Sequence, residues 1–140
     1  MTNRRNFISK LFAGTALASF AMLPYRVKAQ NVDMDNVLLH HVYFWLKNPE
    51  NEKSRIQFEK AIHELVKVPT IKASHLGLPA STEERDVVDH SYTYSLLVVF
   101  DSQADQDIYQ EHPIQLEFVD KNSHLWEKVV VYDSTDIGKS

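Results

Sequence analysis

Four stretches of the chain are rich in β-branched and aromatic residues, which is the composition that strands favour. They cover Val37–Leu46, Ile71–Leu78, Ser91–Phe100 and Lys128–Asp133. Each stretch is short and is flanked by residues that favour turns or helix starts, such as Asn48-Pro49 after the first. The pattern therefore predicts four β-strands.

The segments between the strands predict helices. From Glu50 to Val68, apolar residues recur on one broad face at helical spacing. Asp101 or Ser102 caps a second helix that runs through Glu111, and Pro113 begins another at the first helical position, where proline is tolerated. The order strand, helix, strand, strand, helix, strand is the βαββαβ arrangement of ferredoxin-like α+β folds.

The first, third and fourth predicted strands carry apolar or aromatic side chains on both faces. The first strand places Leu38, Val42 and Phe44 on one face and Leu39, Tyr43 and Trp45 on the other. An antiparallel sheet with one wet face should instead alternate apolar and polar residues. Helices cover one face, and the simplest cover for the other is a second copy in a two-fold dimer. We therefore expect a homodimer; the alternative is that Tyr43 and Trp45 lie exposed at a sheet edge.

The N-terminal segment, residues 1–29, resembles a twin-arginine export signal. Arg4-Arg5 is followed by an aromatic residue and a bulky aliphatic one. The apolar run Leu11–Leu23 is shorter than the about 20 residues that a transmembrane helix needs, so we expect no stable membrane insertion. We expect cleavage before Gln30 and export to a bacterial periplasm. A Sec-type signal with a chance arginine pair is the alternative.

Charge and cysteine content exclude several classes of partner and linkage. All nineteen acidic residues follow Gln30, whereas five of the fifteen basic residues precede it, so cleavage lowers the net charge from −4 to −9. Such a domain repels phosphate backbones, and we therefore expect no nucleic-acid partner. The chain has no cysteine, so it forms no disulfide.

Two motifs carry a resemblance to a known family. The first strand reads His40-x-Val42-x-Phe44-x-x-Lys47, and the second helix ends in Tyr109-x-x-His112-Pro113. This pattern resembles the stress-responsive A/B barrel (Dabb) family, over about residues 37 to 133. The resemblance implies a dimeric α+β barrel, in agreement with the strands that are apolar on both faces. Most members of that family have no known activity, and a few are enzymes.

Several tyrosine, histidine and polar residues are candidates to line a ligand pocket between sheet and helices, because small-molecule sites combine aromatic walls with a few polar groups. The candidates are His40, Phe44, His75, Tyr92, Tyr94, Tyr109, His112 and Gln115. We expect Tyr92 and Tyr94 to share a face of the third strand. For His112, the alternative is that its imidazole caps the backbone at the helix junction.

The family resemblance also suggests candidate acid–base residues. Polyketide cyclases of the Dabb family use a tyrosine and a histidine, and the resemblance places these at Tyr109 and His112, with His40 on the first strand. The general base of those cyclases falls at Gln115. A glutamine amide cannot accept a proton near neutral pH. The sequence therefore departs from the cyclase pattern at the residue that the reaction needs most.

Metal and cofactor sites are not indicated by the sequence. The chain has seven histidines, but none has the spacing of a metal motif. We therefore predict neither metal nor cofactor. Three functions stay open: a homodimer that binds a small apolar or aromatic molecule, a lyase or isomerase that uses Tyr109 with His112 or His40, and a structural stress protein without a specific ligand.

Overall fold

The computed structural model describes residues 31–138, and a compact unit begins at Val32. The predicted signal peptide lies outside the described residues. In chain order the elements are β1 (Leu38–Leu46), α1 (Glu52–Leu65), β2 (Ile71–Gly77), β3 (Tyr94–Phe100), α2 (Gln103–Glu111), α3 (Pro113–Asn122), a short 3-10 turn (Ser123–Leu125) and β4 (Trp126–Thr135). In this part of the chain no helix is both long and apolar enough to cross a membrane.

The four strands form one sheet in the order β2-β3-β1-β4. Every neighbouring pair is antiparallel. This order and the element sequence confirm the predicted ferredoxin-like α+β fold. Strand β1 is central, so His40 lies opposite Val98 of β3 on one side and opposite Asp133 of β4 on the other.

One face of the sheet packs against the helices and forms the core. Along β1 the even-numbered residues from Leu38 to Leu46 are buried, and the odd-numbered ones are half-buried. The helices contribute buried apolar side chains to the same core: Phe58, Ile62 and Leu65 from α1, Tyr109 from α2 and Phe118 from α3.

The other face, which we call the open face, has no helix over it. Its β1 residues are Leu39, His41, Tyr43 and Trp45, and the strand register adds Leu97, Val99, Val130 and Tyr132. Apolar side chains predominate here, as the sequence predicted. This face is consistent with a second sheet packing against it.

Several element boundaries differ from the predicted ones. Helix α1 begins after Asn51, whose side chain accepts a hydrogen bond from the Ser54 backbone N–H at 3.0 Å. Strand β3 begins at Tyr94 rather than Ser91. The cause is Thr93, whose hydroxyl oxygen accepts the Leu46 N–H at 3.0 Å. A side chain thus replaces a backbone group in the ladder, and the regular strand starts at the next residue, Tyr94, three residues after the predicted start.

Candidate functional site

The buried side chain of His40, near the start of β1, contacts a carboxylate on the neighbouring strand. It is 5 % exposed, and its Nδ1 lies 2.7 Å from Oδ1 of Asp133 on β4. The antiparallel register places these two residues directly opposite each other. An ionised carboxylate only accepts hydrogen bonds, so Nδ1 donates and, in neutral imidazole, Nε2 keeps a lone pair. The pair thus presents Nε2 as a proton acceptor.

Tyr109 lies over this pair in the last turn of α2. Its ring centroid is 5.9 Å from that of His40 and 5.2 Å from that of Phe100. The residue is 3 % exposed, and burial raises the pKa of its hydroxyl to about 12. The phenol is therefore protonated at neutral pH. Within residues 31–138 its hydroxyl has no hydrogen-bond partner, so it is a free donor beside His40.

His112 occupies the break between α2 and α3. Its Nδ1 accepts a hydrogen bond from the Ile114 backbone N–H at 3.2 Å, and its own N–H donates to the Tyr109 carbonyl at 3.1 Å. The imidazole is therefore the N-cap of α3, with Pro113 at the first helical position. The alternative proposed for His112, a cap at the helix junction, is confirmed. Within the described residues the second ring nitrogen of this half-buried histidine makes no hydrogen bond.

Tyr94 and Phe44 lie farther along the helix-covered face, away from His40. The Tyr94 hydroxyl donates to Oε1 of Glu59 at 2.5 Å, and burial together with this hydrogen bond raises its pKa to about 12. The ring stacks on Phe58 at 4.9 Å. Phe44 contacts Phe58 edge-on at 4.9 Å. These two residues therefore attach α1 to the sheet.

Tyr92 and His75 lie on the open face, so the expectation that Tyr92 shares a face with Tyr94 is wrong. The Tyr92 ring contacts Tyr43 at 4.9 Å. The irregular backbone at Thr93 interrupts the alternation of faces that a longer strand would have. His75 lies opposite Leu97 on the same side as His41. These residues are separated by the sheet from His40 and Tyr109.

The structure thus brings together His40, Tyr109 and the helix junction at His112. Gln115 is half-buried in the first turn of α3, and its side chain makes no hydrogen bond within the described part of the chain. Asp133 was missed by the sequence analysis, since only the β1–β4 register reveals it. Residues 31–138 contain no group of three histidine or acidic side chains that would hold a metal.

A concavity of about 430 Å³ lies between α1 and α3. Its apolar lining includes Ala61, Leu65, Ile114 and Phe118. Charged residues at Lys60, Glu64, Glu117 and Lys121 also line it. Ile114 belongs to both this concavity and the His112 cap, so the concavity adjoins the helix junction.

Comparison with known proteins gives a consistent family and fold. The family described as "Stress responsive A/B Barrel Domain" matches residues 38–136. Among curated proteins, none matches this chain. A Dabb family protein with a ferredoxin-like fold from Mesorhizobium loti is 23% identical, with a TM-score of 0.61 over 74% of this chain and 100% of that one.

Two further solved structures share the fold. The hydroxynitrile lyase from Passiflora edulis is 23% identical, with a TM-score of 0.63 over 75% of this chain and 97% of that one. A dimeric ferredoxin-like protein of unknown function from Thermobifida fusca is 14% identical, with a TM-score of 0.59 over 76% and 96% of the two chains. At these identities the comparison establishes the fold alone.

Proposed function

Since the chain belongs to the stress responsive A/B barrel (Dabb) family, we propose that it is a homodimer that binds a small apolar or aromatic molecule between sheet and helices. Three similar structures are described as dimeric proteins of ferredoxin-like fold. The apolar open face supports a dimer of this chain as well, because a second sheet would remove it from water.

The observation that carries the ligand proposal is the Tyr109 hydroxyl, which makes no hydrogen bond within residues 31–138 although the residue is only 3 % exposed. Among those residues the fully buried side-chain atom without a partner is Thr70 Oγ1, so the Tyr109 oxygen still reaches its surroundings. A ligand oxygen or nitrogen can therefore accept a hydrogen bond from Tyr109. His40 Nε2 beside it offers an acceptor, and Phe100 supplies an aromatic wall. The three groups suit a small aromatic molecule with one or two polar atoms.

Entry to this site requires movement at the helix junction, because Tyr109 and His40 are only 3 % and 5 % exposed. The junction is a short break between two helices rather than a continuous helix. The concavity between α1 and α3 adjoins it through Ile114. We infer that a ligand enters from this concavity as the start of α3 shifts.

The test is native mass spectrometry of the protein, purified from the cellular compartment in which it accumulates. We expect a dimer with a bound small molecule, and we expect Tyr109→Phe to lose that molecule while it stays folded. Tyr94→Phe is the matched control, since it removes a buried hydroxyl from the same face at a distance from His40. A dimer without any bound molecule would instead favour the structural stress protein. Loss of the ligand from both variants would show that the Tyr109 hydroxyl does not bind it specifically.

A second candidate is a lyase, favoured by the His40–Asp133 geometry. A carboxylate that fixes Nδ1 of a histidine orients Nε2 as a general base. In a cyanohydrin, Nε2 would take the hydroxyl proton, the C–CN bond would break, and the electron pair would leave with cyanide, which then takes a proton. The name of the Passiflora edulis neighbour, hydroxynitrile lyase, makes this the first reaction to assay.

The assay is cyanide release from an aromatic cyanohydrin. General-base catalysis contributes on the order of 100-fold or more, so we expect His40→Gln to reduce turnover by about that factor. Asp133→Asn should reduce turnover without abolishing the fold, since Asp133 is half exposed. His124→Gln serves as the control because that histidine is exposed. Turnover by the His40 variant at the wild-type rate would exclude this mechanism.

We also propose that the protein is exported and that residues 1–29 are removed. Arg4-Arg5 and the short apolar run after them support the twin-arginine route. Replacement of both arginines by lysine should trap the precursor in the cytoplasm, as seen by fractionation and by the N-terminal residue of the mature chain. Normal export of that variant would indicate a Sec-type signal.

A further inference from the structure

Strand β4 carries a row of uncovered apolar side chains on the helix-covered face of the sheet. The β1–β4 register places Val129 opposite Phe44 and Val131 opposite Val42. Phe44 and Val42 are 3 % and 5 % exposed, whereas Val129 and Val131 are each 44 % exposed. The helices therefore cover β1 and stop short of β4, the edge strand. Because side chains alternate along a strand, both valines point away from the open face, and a second sheet there leaves them uncovered.

This row, which we call the β4 strip, consists of Trp126, Val129 and Val131. Trp126 closes one end of the strip, since its ring stacks on Phe118 of α3 with centroids 5.6 Å apart. At the other end, Val131 lies two residues before Asp133, which pairs with His40 across the strands. Val131 is therefore the diagonal cross-strand neighbour of His40, at about 7–8 Å. The strip thus leads from the candidate site to an aromatic wall.

The β4 strip is long and narrow. Its end residues lie opposite Val42 and Leu46 of β1, and this separation is about 13 Å along a strand. The width is one side chain, because the neighbouring residues of β1 are buried and no strand lies on the other side of β4. A partner helix or sheet needs a broader apolar surface. A linear hydrocarbon chain fits a single row of this length.

We propose, on the basis of the function proposed above, that the ligand of the Tyr109–His40 site carries a linear alkyl chain, which lies along the β4 strip toward Trp126. A hydroxyl group suits the polar end, because it can accept a hydrogen bond from Tyr109 and donate one to Nε2 of His40. The helix junction shifts to admit this polar end, whereas the chain stays on β4. Contact with the strip removes the chain from water. The ligand class is therefore a straight-chain alcohol rather than a compact aromatic molecule.

The test measures the binding of straight-chain primary alcohols, from butanol to nonanol, to the whole purified protein by saturation-transfer NMR titration. A fully buried methylene group gains about fourfold in affinity, and the strip covers a chain from one side only, so we expect a gain of about twofold per methylene. This gain should end at the chain length that reaches Trp126. Heptanol should bind severalfold more tightly than benzyl alcohol, which has the same number of carbon atoms in a compact shape.

Failure of the alkyl chain and failure of the Tyr109 site give different results. If benzyl alcohol binds as tightly as heptanol and affinity does not depend on chain length, the chain does not use the β4 strip. The alkyl proposal then fails, and the ligand site at Tyr109 stands. If no alcohol binds to folded protein at millimolar concentration, the alkyl proposal and the ligand site both fail.

Threonine substitutions locate the chain on β4. The double variant Val129→Thr/Val131→Thr keeps the β-branched shape that strands favour but replaces one methyl group of each valine by a hydroxyl. We expect it to weaken nonanol binding severalfold and butanol binding much less. Val87→Thr is the matched control, since Val87 is exposed and lies in the loop between β2 and β3.

Two results with these variants would overturn the proposal. One is an equal loss of nonanol binding in the double variant and in the control. The other is an unchanged dependence on chain length together with weaker dimerisation of the double variant in sedimentation. The β4 strip would then be an interface between copies of the chain.

Discussion

At the scale of single residues, two buried tyrosines show how the same group can have different tasks. Tyr94 and Tyr109 both have pKa values of about 12. For Tyr94, burial acts together with a hydrogen bond to Glu59, whereas for Tyr109 burial alone is the cause. The first hydroxyl therefore stabilises the contact between α1 and the sheet. The second has no structural partner, which is why it is available to a ligand.

This difference predicts different costs for the two phenylalanine substitutions. Tyr94→Phe should lower the free energy of unfolding by about 1–2 kcal/mol, the net value of a hydrogen bond to a charged acceptor. Tyr109→Phe should change it by less than about 0.5 kcal/mol, because it breaks no hydrogen bond. Urea unfolding of ligand-free protein measures both. A larger loss for Tyr109→Phe than for Tyr94→Phe would contradict these assignments.

Both tyrosines also predict how stability changes at alkaline pH. Their folded-state pKa values lie above the ordinary value of 10.0, so the unfolded chain releases these protons first. The part of the free energy of unfolding that these two hydroxyls contribute is therefore fully present below about pH 10. It is lost as the pH rises from about 10 to 12. Tyr94→Phe should make this decline shallower.

At the scale of elements, the junction between α2 and α3 depends on a histidine cap. His112→Ala removes the acceptor for the Ile114 N–H and should cost about 1 kcal/mol, as loss of an N-cap does. His112→Asn keeps a side-chain acceptor and should recover most of that loss. The measurement is chemical unfolding of the three proteins. Equal stability of wild type and His112→Ala would show that the cap contributes nothing.

The elements also show what the sequence reveals and what it does not. Strong local signals such as the apolar run in β3 and the proline of α3 predicted the order of strands and helices and the ferredoxin-like fold. The start of β3 was missed because the Thr93 side chain enters the ladder, which no local pattern shows. His40 and Tyr109 were predicted from their motifs. Asp133 and the position of Tyr92 depend on contacts between distant segments, so the sequence alone did not indicate them.

At the scale of the whole molecule, the open face predicts a dimer that weakens in acid. His41 lies on this face, and burial together with nearby His75 lowers its pKa below 6.5. Its Nδ1 lies 3.1 Å from the Tyr43 hydroxyl, and Tyr132 lies opposite it on β4. A second sheet would bury these groups further, so a positive charge on His41 would oppose association.

The sign of this pH effect follows from the lowered pKa. The single chain already holds this pKa below 6.5, and burial in the dimer would lower it further, so the dissociated chain binds the proton more tightly and the dimer weakens as the pH falls below about 6.5. Sedimentation at pH 7.5 and 5.5 should show a rise in the dissociation constant on the order of tenfold. The double variant His41→Gln/His75→Gln should suppress this rise in the dissociation constant. The control His63→Gln, at an exposed position of α1, should not. A monomer at both pH values would exclude the dimer.

The central position of β1 has a consequence for the order of folding. The strand that is synthesised first pairs along its full length with β4, which is synthesised last. The sheet therefore cannot close until the ribosome has released the end of the domain, and until then β1 has a free apolar edge. Free edges of this kind are starting points for aggregation. A chain that ends before Trp126 should consequently accumulate as insoluble aggregate and not as a smaller folded domain.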